Sequence, residues 1–200
     1  MIESETHYEL MPDGDPTDEW IFWKWDDQSD GLRLRPGLAH LMCSACGKID
    51  EIAALQIVDL AEVHFSGRMD VLSSGEDWLI VSDTMLGALK MESIAGWTSR
   101  KIDGSPRFSI LIASLEVPTK LELAGFEEHD PCPKCGRPQE RLCGPLGQGM
   151  EIPREVATLF RSSIWNESGR GKVPRIFATV QAVRLLKKHK LRGLVVIPGQ

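Results

Sequence analysis

Apolar residues along this chain fall mostly into short strand-length runs, with two stretches of helical period, and Gly, Pro and charged residues separate them. The first run, WIFWKW at Trp20–Trp25, alternates: Ile21, Trp23 and Trp25 fall on one face of a strand, Trp20, Phe22 and Lys24 on the other. A core strand is the simpler reading, and an exposed aromatic platform the other. Acidic neighbours repel phosphate, so stacking on nucleic acid is disfavoured. The stretch EIAALQIVDLAEVHFSG, residues 51–67, fits a weak amphipathic helix and a strand equally and stays unassigned. Next come a strand at Trp78–Val81, Ser82 as N-cap, and a helical stripe of Met85, Leu86 and Leu89 with Ala88 at its margin. Gly96 then marks a stop or turn. Arg107–Pro118 reads as strand, and the Gly/Pro-rich stretch Arg137–Pro153 as loop.

The end of the chain repeats this plan. Ile176–Ala178 predicts a strand, Thr179 an N-cap, and Val180, Val183, Leu185 and Leu186 a helical stripe. The basic residues that follow suit the negative end of a helix dipole, and Gly193 closes the element. At one constant offset Ser82 meets Thr179, Leu89 meets Leu186, Lys90 meets Lys187 and Gly96 meets Gly193. CSACG at Cys43–Gly47 and CPKCG at Cys132–Gly136 repeat as well, with His40 and His129 each three residues ahead. The order suggests a degenerate duplication over 40–97 and 129–194 inside a single domain of 1–200. The expected fold is α+β: two similar small strand–helix lobes joined by a zinc-ribbon-like double CxxCG clip.

Composition changes little except for charge. With 42% apolar and 26% charged residues, the chain can bury a core without covalent staples. No run approaches the roughly 18 apolar residues of a membrane span. The opening MIESETHYELMPDGD lacks a basic n-region and an apolar h-region, so the expectation is a cytoplasmic protein with no membrane partner. The net charge of −6 is unevenly spread: the acidic segment 1–30 carries Glu3, Glu5, Glu9, Asp13, Asp15, Asp18, Glu19, Asp26, Asp27 and Asp30 against Lys24, while Arg161–Gln200 is basic with Glu167 its one acid. The asymmetry suits either an interaction arm or two ends that neutralise each other.

Five cysteines, four of them in two CxxCG pairs, carry the candidate chemistry. A reducing compartment favours thiolate ligands over disulfides. Each turn aims two thiolates at one point, glycine after the second Cys accepts the φ a tight turn needs, and the proline of CPKCG stiffens its turn. Cys43, Cys46, Cys132 and Cys135 together make a tetrahedral four-thiolate set for one structural Zn2+. Two alternatives stand beside it. Each pair with His40 or His129 would form a separate site needing a fourth ligand from elsewhere; or the pairs are redox centres, which should follow a strand and open a helix. Cys143 is left over. GxSxG, HExxH, HxE with PCxxC, and phosphate-loop motifs are missing, and SSGEDW at Ser73–Trp78 reads as a turn before a strand. A closed four-cysteine site leaves no position for reacting water, so the chain is not expected to be an enzyme.

With Tyr8-Glu9-Leu10 near the start, CSACG, the middle strand–helix–Gly unit, CPKCG, and the ending IFATVQAVRLLKKHKLRGLVVIP, most of the chain resembles the double-CxxCG motif proteins, a paralogous group best known from myxobacteria. The resemblance implies a cytoplasmic immunity protein that binds a cognate polymorphic toxin delivered by kin cells. It carries over the four cysteines as metal ligands and no toxin-binding surface. Were the toxin a basic nuclease, the acidic face of 3–30 would steer association, and reversing Asp13, Asp15, Asp18 and Glu19 to Lys would weaken protection. The rival reading is a zinc-ribbon nucleic-acid-binding or transcription accessory protein, resting on Lys187, Lys188, Lys190 and Arg192. The pI near 5.4 argues against it.

Overall fold

Two short helices are started the same way. Ser82 and Thr179 hold extended backbone, and their side-chain oxygens accept from the amides of Met85 (3.3 Å) and Ala182 (3.4 Å). Each cap satisfies one of the amides a helix start leaves unpaired, worth about 1 kcal/mol. In the computed structural model the described residues are 7–13, 20–23, 43–45, 60–64, 69–73, 79–102, 105–118, 132–135, 150–152, 156–162, 166–168, 171–173 and 175–199. Along them run strands β1 (His7–Pro12), β2 (Trp20–Trp23), β3 (Leu60–His64), β4 (Val71–Ser73) and β5 (Leu79–Ser82), helix α1 (Asp83–Met91), then β6 (Trp97–Lys101), β7 (Phe108–Ala113), β8 (Glu116–Val117), β9 (Leu159–Ser162), β10 (Asn166–Ser168), β11 (Gly171–Val173) and β12 (Ile176–Thr179). Helix α2 (Val180–Leu186), a 3-10 turn at Lys187–His189, and β13 (Leu194–Pro198) complete them. The class is α+β, and strands dominate.

The stripe Met85, Leu86, Ala88 and Leu89 of α1 is buried as its spacing predicts. In α2 the buried positions are Ala182, Val183 and Leu186, whereas Val180 and Leu185 are half-buried. A helix this short commits only one turn to the core, and the small Ala182 takes the inward place. After each helix the chain passes through a left-handed non-glycine residue, Ser93 (φ 52°) or Lys190 (φ 49°), then a left-handed glycine, Gly96 (φ 78°) or Gly193 (φ 77°).

The two helices belong to two sheets built on one scheme. One is four-stranded in the order β4-β5-β7-β6; the other is five-stranded in the order β13-β1-β12-β9-β8. In each, the strand before the helix pairs antiparallel with a central strand, and the strand after the helix pairs with that strand's other side. The registers coincide. Ser82 faces Phe108 where Thr179 faces His7; Trp97 faces Ala113 where Leu194 faces Pro12; Lys101 faces Ser109 where Pro198 faces Tyr8. The connectivity differs: the central strand of the first sheet, β7, follows its helix, while that of the second is β1, at the opposite end of the chain. The segments 46–59 and 136–149, which the repeat reading of 40–97 and 129–194 also spans, lie outside the described residues.

Each unit is pinned by the other. The amide of Leu159 donates to Ala95 O (2.8 Å), and at the matching place the amide of Val71 donates to Arg192 O (3.1 Å). Ser82 N donates to Asp70 O (2.9 Å) as Thr179 N donates to Thr158 O (3.1 Å). Both units also feed one hydrophobic core: Leu79, Val81, Met85, Leu86 and Leu89 pack in one cluster with Leu10, Leu159, Ile176, Ala178, Val183 and Leu186. A smaller cluster of Val117, Met150, Phe160 and Phe177 lies apart from it, with the buried His7 ring against both phenyl rings.

Several sequence expectations change here. The single strand read at Arg107–Pro118 is two, because the chain changes sheets. Ser114 N donates to Gly96 O (2.9 Å), Leu115 O accepts from Arg161 N (2.9 Å), and β8 then runs parallel to β9. Residues 60–64 of the unassigned stretch form β3, which pairs with β2 across an irregularity between Ile21 and Trp23. Lys24, Trp25 and residues 51–59 lie outside the described residues. No helix among the described residues is long and apolar enough to cross a membrane.

Glu9 does not belong to an acidic surface. On β1 it is largely buried and paired with Arg175 at 3.1 Å, so one acid of the opening segment is neutralised by one base of the closing segment. Burial pushes its carboxyl above the ordinary 4.5, and the Arg175 charge and hydrogen bond only partly oppose that. A folded-state pKa above the unfolded one means that the folded chain holds the proton longer. Glu9 therefore contributes stability below 4.5 that is lost as pH rises through the raised value. Glu9→Gln should flatten that segment of the stability–pH curve, measured as urea midpoints from pH 4 to pH 7. An unchanged slope would assign it to other groups.

Candidate metal centre

The two cysteine motifs meet. Cys43 is half-buried in a turn beginning 43–45; Cys132 is buried (1% exposed) and Cys135 half-buried in the turn at 132–135. All three Sγ atoms lie within 4.8 Å of one another, though Cys43 and Cys132 stand 89 residues apart. The Cys43 and Cys132 sulfurs are 3.7 Å apart. A disulfide would bring them to about 2 Å. A tetrahedron of sulfurs about 2.3 Å from a central zinc has edges of about 3.8 Å. The observed spacing matches the second arrangement, and the donor set fits a soft-ligand metal site.

A second contact ties the turns together. Lys134 Nζ, between the cysteines of the second motif, donates to Ser44 Oγ, between those of the first. The turns therefore face each other directly, through side chains that only their positions inside the motifs could have pointed to. The Lys134 ammonium also sets a positive charge beside a centre that carries net negative charge when its thiolates bind a divalent ion. Pro133 fixes φ at the first position after Cys132.

Of the four cysteines read as ligands, Cys43, Cys132 and Cys135 come together. Cys46 lies outside the described residues, as do His40, His129 and Cys143. The convergence joins cysteines from both motifs, the arrangement a shared site needs. Residues 133–135 form a turn. With Cys46 as the fourth donor, the thiolates would hold zinc as a crosslink between two distant parts of the chain. Among the described residues no other group of three or more His, Cys, Asp or Glu side chains gathers around one point. Comparison with family models, with curated proteins and with solved structures gave no match to this chain.

Proposed function

We propose that this chain is a zinc-clipped, cytoplasmic immunity protein that neutralises a cognate toxin by binding it. The observation that carries the scaffold half of this reading is the convergence of Cys43, Cys132 and Cys135 from motifs 89 residues apart. A zinc held by Cys43, Cys46, Cys132 and Cys135 is coordinatively closed, so its work is to fix shape and not to activate water. The resemblance to the double-CxxCG proteins supplies the toxin as partner. A rigid body whose surface does the work suits an inhibitor better than a catalyst.

Co-expression tests it. The product of the adjacent gene, expressed in a sensitive host, should arrest growth, and this chain should restore it by several orders of magnitude in viable count. Full toxicity in the presence of folded, zinc-loaded protein would contradict the proposal. The exposed bases Lys187, Lys188, Lys190 and Arg192 favour the second reading, a nucleic-acid-binding or transcription accessory protein. Glu92 already pairs with His189 (2.9 Å) and Lys188 (3.7 Å), which reduces the free charge of that turn. Salt-dependent binding to random duplex or single-stranded DNA would favour this second reading, with log affinity falling against log salt.

A further inference from the structure

The two matching sheets allow one edge to be read against the other. β13 and β6 occupy the same place in their sheets, each the outermost strand among the described residues and each paired inward to a central strand in the same register. Asp13 N donates to Gly193 O and Gly199 N to His7 O, both at 2.7 Å. Residues 193, 195, 197 and 199 therefore aim their backbone groups at β1. The backbone groups of Leu194 and Val196, and the carbonyl of Pro198, point the other way. β6 presents Trp97, Ser99 and Lys101 outward by the same alternation.

The side chains differ. β6 reads WTSRK: it carries two cations, and Lys101 is anchored to Asp83 at 2.8 Å. Charge on an edge strand is the usual guard against pairing with another chain. β13 reads LVVIP and has no charge; Leu194, Val195 and Val196 are half-buried and Ile197 is 42% exposed. Where β6 places Arg100, β13 places Ile197. Among the described residues, one of two equivalent edges is thus guarded and the other is open. At the start of the open edge the chain exposes Lys187, Lys190 and Arg192.

We propose that β13 is a strand-docking edge for a partner protein, and that the docked segment is an extended apolar strand running antiparallel to β13 and ending in acidic residues. The antiparallel direction brings the C-terminal end of the incoming strand beside Leu194, where the Lys187–Arg192 turn meets its acids. Backbone groups of Leu194 and Val196 supply the ladder, and Ile197 supplies an apolar contact on the face away from the main core. This goes beyond the immunity reading and does not depend on it, since the edge geometry is the same whatever the partner's activity.

The test uses the full-length chain loaded with zinc and a short synthetic peptide of alternating valine and threonine ending in glutamates and aspartates. A second peptide ends in lysines and arginines. In the free protein, amide exchange should be fast at Leu194 and Val196 and slow at Val195 and Ile197, which face β1. The acidic-tailed peptide should slow Leu194 and Val196 at least about tenfold and bind at least about tenfold tighter than the basic-tailed one. Ile197→Arg, which copies the guard of β6, should lower that affinity about tenfold with an unchanged melting temperature. Arg192→Glu, outside the strand, should reverse the preference between the two tails even if Ile197→Arg folds poorly. No slowing at Leu194 and Val196, or equal binding of the two tails, would overturn the proposal. So would protection of these amides in the free protein that vanishes on dilution, which would assign the edge to a second copy of the chain. Peptide binding without rescue of a toxin-expressing host would leave the docking edge standing and remove the immunity reading alone.

Discussion

Cys132→Ser should strip the purified protein of metal, taking zinc from about one per chain to near zero, and Cys43→Ser should do the same. Cys132 is the more severe case, because its side chain is buried and a serine hydroxyl there loses both the ligand and an apolar neighbour. Structural zinc contributes apparent binding free energy of about 10–16 kcal/mol, so each variant should also melt well below the parent. The shared outcome is the informative part. Cys43 and Cys132 come from different motifs, and with sulfurs 3.7 Å apart they would hold one ion between them. Two independent sites would instead lose half the metal with each change. Removing zinc with a chelator should reproduce the loss in the parent protein and leave the variants unaffected.

The second large effect is expected at Gly96. Its φ of 78° is in the left-handed region, where a side chain costs roughly 1–2 kcal/mol. A Cβ there would also stand 2.0 Å from the backbone oxygen of Leu159 and 2.5 Å from Thr158 Oγ1. Backbone cannot swing aside as a lysine tip can, so the Ala95–Leu159 hydrogen bonding that ties β9 to the α1 unit must open. Gly96→Ala should therefore cost about 3 kcal/mol or more, from strain plus lost buried hydrogen bonds. Gly193→Ala, with its Cβ 2.5 Å from Val71 O, should act in the same direction through the reciprocal joint. Gly87 is the control: it lies inside α1, nothing is within 4 Å of a Cβ there, and Gly87→Ala should stabilise by about 0.5–1 kcal/mol. Urea midpoints of the three variants would show the pattern; a neutral Gly96→Ala would mean that the two units are not joined there.

Local signals in the sequence were legible where local physics sets the structure. Ser82 and Thr179 are readable as caps because a cap needs only its own side chain and an amide three residues on. The stripe of α1 follows from spacing alone, and the paired glycines Gly96 and Gly193 mark turns with nearly equal φ values, 78° and 77°. β1 was not legible. His7 and Glu9 break the apolar pattern of HYELMP, yet His7 is buried against Phe160 and Phe177, and Glu9 is held by Arg175. These partners lie at the far end of the chain, and no window of sequence contains them. β13 escaped for the same reason, since its neighbour among the described residues is β1. The change of sheet at Ser114–Leu115 depends on Gly96 and Arg161, which the run RFSILIASLEVP cannot reveal. At the metal centre the motifs themselves were plain, and the convergence of Cys43 with Cys132 was an inference from their likeness. The Ser44–Lys134 contact between the turns had no signal outside their positions.

X-ray absorption at the zinc edge of the purified parent protein reads the shared site itself. One ion held by both motifs requires one zinc per chain with four sulfur neighbours at about 2.3 Å and no nitrogen shell. A shell containing nitrogen at about 2.0 Å, or two zinc ions per chain, would contradict it.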